Sequence, residues 1–249
     1  PRVLLVGDPL QLGPVVHTSV KSVRKAMTSS LLGALMRTKG LGGLKVAALL
    51  RSYRSSQALL SLPSRLFYED ALISAADPDS VRPPAWIPPS ASSEVPPLVM
   101  YGVHGRQVRQ GDHSWFNPFE ATVVTDLVES LVTAEHVDTS ASELGVVALF
   151  RSQVHAIRHC LRQRGLGAVR VGTIDDYQGQ EARVLLISTV LTRPASLRSA
   201  GGGSGSNAAA IHAFSSPNRF NVAITRAKAL LVVCGHPQAL AEDSNWRAL

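Results

Sequence analysis

Only two cysteines occur among the 249 residues, Cys160 and Cys234. They lie far apart and without CxxC spacing, which excludes a disulfide framework and a zinc ribbon and fits a reducing compartment. Both fall in apolar periodic segments, where buried structural thiols are expected. The eight histidines are scattered, and neither an HExxH motif nor a His/Cys cluster appears, so no metal site is expected. No signal peptide and no apolar run long enough to cross a bilayer is visible. Acidic residues are also short: 18 Asp+Glu stand against 25 Lys+Arg, a net charge of +7. That excess favours an anionic partner, nucleic acid ahead of an anionic membrane.

What is present is a succession of short apolar runs separated by amphipathic segments. "RVLLVG" (2–7), "LKVAALL" (44–50), "PLVMYGV" (97–103), "LGVVALF" (144–150), "VRVGTI" (169–174), "ARVLLISTVL" (182–191) and "ALLVVCG" (229–235) read as strands covered on both faces. Helical patterns alternate with several of them. In "NPFEATVVTDLVESLVTAE", Asn117 caps the helix, Pro118 takes its first position and Glu120 is placed to close a capping box. "RSQVHAIRHCLRQRG" is a second helix, stopped at Gly165. The alternation predicts an α/β fold with a mainly parallel central sheet. Residues 77–97, rich in Pro and Ser, read as an irregular surface loop. The Gly/Ser-rich stretch 193–216 reads as an inserted flexible loop.

Four polar clusters are expected at the carboxyl ends of strands, where ligands gather in open α/β sheets. "GDPLQLGP" (7–14) offers Gln11, an amide able to bond a phosphate oxygen and to orient water. "LLRSYRSS" (49–56) sets an aromatic face, Tyr53, beside a guanidinium, Arg54. "VGTIDDYQGQEARVLLIS" (171–188) packs Thr173, Gln178, Gly179 and Glu181 into a turn between buried strands. Gly179 lets backbone approach a ligand, Glu181 is an acceptor for a ribose hydroxyl, and Thr173 offers a hydroxyl to a nucleic-acid phosphate. "PNRFNVAITRAKALLVVCG" (217–235) reads as a helix over 218–227 with Phe220, Val222, Ala223 and Ile224 inward. Arg219 and Arg226, seven apart, then share one face, with Arg226 near the helix end. They are either plain surface arginines or the source of an arginine finger.

In this order the clusters resemble motifs III, IV, V and VI of superfamily 1 helicases, of the up-frameshift-like group. "LLSLPSRLFYEDAL" (59–72), "GVHG" (102–105) and "SWFNPFEA" (114–121) narrow the resemblance to the Moloney leukaemia virus helicase (Mov-ten) subfamily, which includes the Armitage-type RNA-silencing helicases. The resemblance implies a RecA-like, P-loop-NTPase-type three-layer fold. It implies ATP and Mg2+ as cofactors, with the metal's ligands mainly in a first RecA-like domain. It also implies single-stranded RNA as partner, 5′-to-3′ travel, a cytoplasmic or ribonucleoprotein-granule location, and silencing (Argonaute-type) or mRNA-decay partners.

Neither GxxxxGK[ST] nor a DEAx box occurs, so residues 1–16 are expected to end the first domain and 17–249 to form the second. Carried over by motif, Gln11 senses the γ-phosphate and Tyr53 lies near the base or ribose. Arg54 contacts the γ-phosphate, Gly179 faces it, Glu181 takes the ribose, Arg226 is the arginine finger and Thr173 touches RNA. Arg219 is left open between orienting motif V and motif VI. Two departures bear on function: Ala148-Leu149-Phe150 replaces a Thr-Pro-Tyr common in relatives and weakens an RNA contact there, and Ser52 replaces an Asn before Tyr53. A DNA helicase motor and a non-catalytic ribonucleoprotein scaffold are the competing readings.

Overall fold

The computed structural model describes residues 3–14, 16, 18, 20–27, 30–38, 45–86, 96–110, 114–134, 137–192 and 214–249. Five strands form one all-parallel sheet in the order β3-β9-β8-β6-β7. They are β3 (Leu98–Gly102), β6 (Leu144–Ala148), β7 (Arg170–Thr173), β8 (Ala182–Ser188) and β9 (Ala227–Gly235). The central strands are buried along their length, as near-continuous Val/Leu/Ile runs require when both faces are covered. One face carries α4 (Pro118–Thr133) and α5 (Arg151–Gln163), through Val124, Leu131, Val154 and Ile157. The other carries α3 (Gln57–Phe67), α6 (Pro217–Ile224), α7 (Pro237–Ala241) and α8 (Ser244–Arg247), through Leu59, Phe220, Leu240 and Trp246. The result is the α/β fold with a parallel sheet expected from the alternation, in the three layers that the family resemblance implies.

Local chemistry explains the helix ends. The Asn117 side chain accepts from the Glu120 N–H and Pro118 takes the first turn, while Gly165, at φ +72°, ends the run after α5. The crossover from β7 to β8 contains no helix. Residues 174–181 pass over β6 with Ile174 and Tyr177 buried, and Tyr177 donates its hydroxyl to the Arg170 carbonyl at 2.8 Å. A Cβ on Gly145 of β6 would stand 2.6 Å from that hydroxyl, so the close approach needs glycine there.

Several expectations are corrected. Residues 3–8 form no strand, and Val3, Leu4 and Val6 are more than 80% exposed. Among the described residues no neighbouring strand pairs with them, and an apolar run alone cannot satisfy a ladder of N–H and C=O groups. Residues 45–50 likewise stay irregular. Pairing begins only where β1 (Arg51–Ser52) meets the two-residue β2 (Ile73–Ser74). The strand at 182–191 stops at Ser188, because Val190 turns to φ +69°. Residues 77–86 are not purely surface: Trp86 is buried and its indole donates to Ser130 Oγ at 3.0 Å. The rest of that loop, apart from 96–97, and 193–213 of the inserted loop lie outside the described residues. Cys234 is buried but Cys160 is only half-buried.

Candidate functional site

The polar motifs do not all gather at carboxyl strand ends. Glu181 and Arg226 stand at the amino ends of β8 and β9, and Arg54 follows β1. Within the five-stranded sheet only Thr173 of the predicted site residues sits at a carboxyl end, that of β7. The Tyr53–Ser56 loop reaches the amino edge of the sheet because it is stitched to β9. Ser55 Oγ donates to the Ala227 carbonyl at 2.6 Å, and the Ser56 N–H to the Lys228 carbonyl at 3.1 Å.

Three motifs thereby meet. Arg54 Nε binds Glu181 Oε2 at 2.8 Å, and its Nη1 donates to the Thr225 carbonyl at 3.2 Å. Lys228 Nζ lies 2.6 Å from Glu181 Oε1. These two cations, with Lys228 first, hold the Glu181 carboxyl below its usual range. Arg226 shares Thr225 with Arg54: its Nη2 donates to Thr225 Oγ1 at 2.7 Å and its Nε to the Val222 carbonyl at 3.0 Å. Arg226 is only 2% exposed and makes no ion pair among the described residues. Burial, and then the charge of Arg54, push its pKa down to about 10, so it remains a cation at neutral pH.

The helix carrying motif VI is shorter than expected. α6 ends at Ile224 with Thr225 as its cap, so Arg226 lies past it and shares no helix face with Arg219. The cause is pairing: Ala182 donates its N–H to the Arg226 carbonyl as β9 begins. The Arg226 guanidinium instead folds back onto the last carbonyls of α6, which still suits the helix dipole. Arg219 has a different partner, binding Asp175 through two bonds of 2.8 and 3.0 Å. Asp176 is held by Arg151 at 2.7 Å and by the Thr173 N–H at 2.8 Å. The acidic pair of the "DDYQGQE" turn therefore clamps motif V to α6 and α5. Burial raises the Asp176 pKa, but those bonds outweigh it and leave the carboxyl below its usual range.

The remaining predicted residues take these places. Tyr53 is 71% exposed beside Arg54. Gly179 has φ +78° with open space where a Cβ would stand, so the turn needs glycine and leaves its outer side clear. Gln178 is exposed in that turn. Thr173 is buried, and its hydroxyl accepts from the Asp176 N–H at 3.3 Å. Leu149 and Phe150 are buried. Gln11 Nε2 donates to Asp8 Oδ2 at 2.9 Å.

Residues missed in the sequence bring that Gln11 turn to the site. Asn221 Nδ2 donates to the Leu10 carbonyl at 3.0 Å and to the Tyr68 hydroxyl at 2.8 Å, and Asn218 Nδ2 donates to the Gln11 carbonyl. Tyr68 in turn donates to Asp8 Oδ2 at 2.6 Å. Burial first, then that bond, raise the Tyr68 pKa to about 12. The signal was available: two asparagines in the first turns of an apolar helix exceed what packing needs.

A second polar network was also missed. Glu120 does not close a capping box. Its Oε1 accepts from Ser188 Oγ at 2.6 Å and the Val190 N–H at 2.9 Å, at the carboxyl end of β8. Gln153 Nε2 joins Ser188 at 3.0 Å, and Gln153 Oε1 accepts the Asn117 N–H. Glu120 is fully buried, and burial raises its pKa to about 7.

A family model described as an AAA domain matches residues 27–238. The chain belongs to this AAA-domain family. The human protein named RNA helicase Mov10l1 is 38% identical over 265 residues, an alignment covering 100% of this chain and 21% of the relative. The chicken protein named Putative helicase MOV-10 is 31% identical, with 98% of this chain and 27% of the relative covered. The fly protein named Probable RNA helicase armi is 28% identical, covering 100% and 22%. The resemblance to Mov-ten and Armitage-type sequences thus extends over this AAA domain's whole length. The chain spans between about a fifth and a quarter of these relatives.

Proposed function

We propose that this AAA domain is the second motor domain of an ATP-dependent RNA helicase that translocates on single-stranded RNA. The observation that carries the reading is the buried Arg226, a cation in no ion pair among the described residues, set beside Arg54 and the Glu181–Lys228 pair. Two adjacent guanidiniums and an ammonium outnumber the nearby carboxylates of Glu181 and Asp8, an excess that suits a polyphosphate. The exposed ring of Tyr53 suits a base. Among the described residues no group of three His, Cys, Asp or Glu side chains is placed to hold a metal. Mg2+ is proposed to be held by the phosphates and mainly by residues of the first RecA-like domain, as the motif resemblance implies.

Bound ATP supplies a phosphoryl group whose transfer builds negative charge on its oxygens. Arg226, oriented by the Val222 carbonyl and the Thr225 hydroxyl, would meet that charge. Arg54, oriented by Glu181 and the Thr225 carbonyl, would add a second positive group at the γ-phosphate, with Gly179 beside it. Glu181 would accept from the ribose. Gln11, in a turn fixed by Asp8, Asn218 and Asn221, senses the γ-phosphate and orients water. Residues 1–16 are proposed as the end of a first RecA-like domain, and 17–249 as the second. Cleft closure between the two then couples the nucleotide to movement along the strand. Thr173 is proposed to touch the RNA backbone when the Asp176 turn opens. Travel from 5′ to 3′, silencing or decay partners of the Argonaute type, and a cytoplasmic or granule location are proposed with it, on the resemblance of the motifs to the Mov-ten subfamily.

The test is ATP turnover by the full-length protein with and without single-stranded RNA. RNA-stimulated turnover is expected, and its absence while RNA still binds would favour a scaffold. A second reading, a DNA motor, is favoured by one relative: the mouse protein named 5'-3' DNA helicase ZGRF1 is 28% identical over 98% of this chain and 12% of its own length. Competition between RNA and DNA oligonucleotides of the same sequence separates the two readings.

A further inference from the structure

We propose that a basic cleft along the edge strand β7 docks an extended acidic peptide of a partner protein. The cleft has a volume of about 420 Å3 and lies between the later half of α5 and residues 167–172. Arg158, Arg162 and Arg170 line it, and none of them pairs with a carboxylate among the described residues. The one acidic lining residue, Asp176, is already engaged by Arg151 and the Thr173 N–H. Three guanidiniums thus face one cleft with their charge uncompensated, and an anion is the complement.

Two of the three are set in advance. Arg158 gives both Nε and Nη2 to the Val171 carbonyl. Arg170 donates to Gln180 Oε1 at 2.6 Å, with its guanidinium 5.5 Å from the Tyr177 ring centre. Arg162 stands exposed in the last turn of α5, and among the described residues its side chain makes no hydrogen bond or ion pair. A helix dipole accounts for a cation at the end of α5, but not for Arg170 on the strand.

The lining favours peptide over nucleic acid. It offers no exposed aromatic face for bases, since Tyr177 is buried beneath Arg170, and the small residues Gly167 and Ala168 leave room for a narrow chain. The cleft runs beside β7, three strands from β9 in the sheet, so it stands apart from Arg226 and does not rest on the helicase reading. The occupant's oxyanions are the carboxylates of Asp or Glu, spaced along an extended chain.

The experiment measures fluorescence anisotropy of two labelled short peptides, one alternating Glu and Ser and one with phosphoserine in place of each Glu. A uridine oligonucleotide is run beside them against the full-length protein. The Glu/Ser peptide binds saturably, and Arg162→Glu weakens it about tenfold or more, with Arg162→Gln intermediate. RNA-stimulated ATP turnover stays unchanged in both variants. The proposal is overturned if the Glu/Ser peptide does not bind saturably, if only the phosphoserine peptide binds, if Arg162→Glu leaves the affinity of the Glu/Ser peptide intact, or if only the oligonucleotide loses affinity.

Discussion

The two ends of the sheet solve opposite electrostatic problems. At the amino end, Arg54 and Lys228 pair with Glu181 while Arg226 stands beside them, its charge felt by Glu181 and Asp8 but paired with neither, and part of the group faces solvent. At the carboxyl end, Glu120 is sealed among Ser188, the Val190 N–H and Gln153-bound groups, and among the described residues no cation pairs with it and its Oε2 has no hydrogen-bond partner. The first arrangement holds unspent positive charge, which a folded protein keeps where an anion arrives. The second spends a carboxyl on fixing backbone, namely the turn at Val190, whose positive φ is costly for a β-branched residue. An ionisable residue at a strand end is therefore informative only once its partners are known.

The largest break in this contrast is expected at Arg226. Arg226→Ala in the full-length protein should lower RNA-stimulated ATP turnover by roughly 10³–10⁵ while RNA affinity is kept. Steady-state turnover beside RNA titration checks it.

Next comes Glu120. Its pKa is raised in the folded state to about 7 from 4.5. The unfolded chain therefore loses the proton first as pH rises, so stability declines between these values and stays reduced above pH 7. The decline attributable to this carboxyl is about 3 kcal/mol. Denaturant unfolding of Glu120→Gln across pH 4–8 should lack that decline.

Asn221→Ala should cost roughly 1–3 kcal/mol by leaving the Leu10 carbonyl and Tyr68 hydroxyl without their donor, and urea titration reads it. The smallest effect on stability belongs to Glu181→Gln, under about 1 kcal/mol, because its ion pairs are part-exposed and screened. Its depressed pKa adds stability above the ordinary carboxylate range that fades as pH falls through the folded value. Glu181→Gln should therefore change acid stability slightly and nucleotide affinity more, which a nucleotide titration resolves.

Much of the sheet was legible because strands buried on both faces write uninterrupted apolar runs, as in 144–148 and 227–235. The runs at 2–7 and 44–50 look the same in sequence, yet strand formation depends on a partner that local pattern does not encode. Arg226 was picked out by its motif, but its place beyond α6 was set by tertiary pairing of β9 with β8. Helical spacing to Arg219 therefore misled. The Glu120 spacing fits a capping box, but burial against Ser188 outweighed a local bond to the helix start. Asn218, Asn221, Tyr68 and Asp8 were illegible as a group because their contacts span about 60 to 211 positions of sequence.

The central claim is that the uncompensated cation at the amino end of the sheet serves phosphoryl transfer. The most direct test is single-turnover ATP hydrolysis on saturating single-stranded RNA, comparing the full-length protein with Arg226→Ala and Arg226→Lys. The account predicts near-complete loss of the chemical step in both variants with RNA still bound. Hydrolysis at the unaltered rate in Arg226→Ala would contradict it.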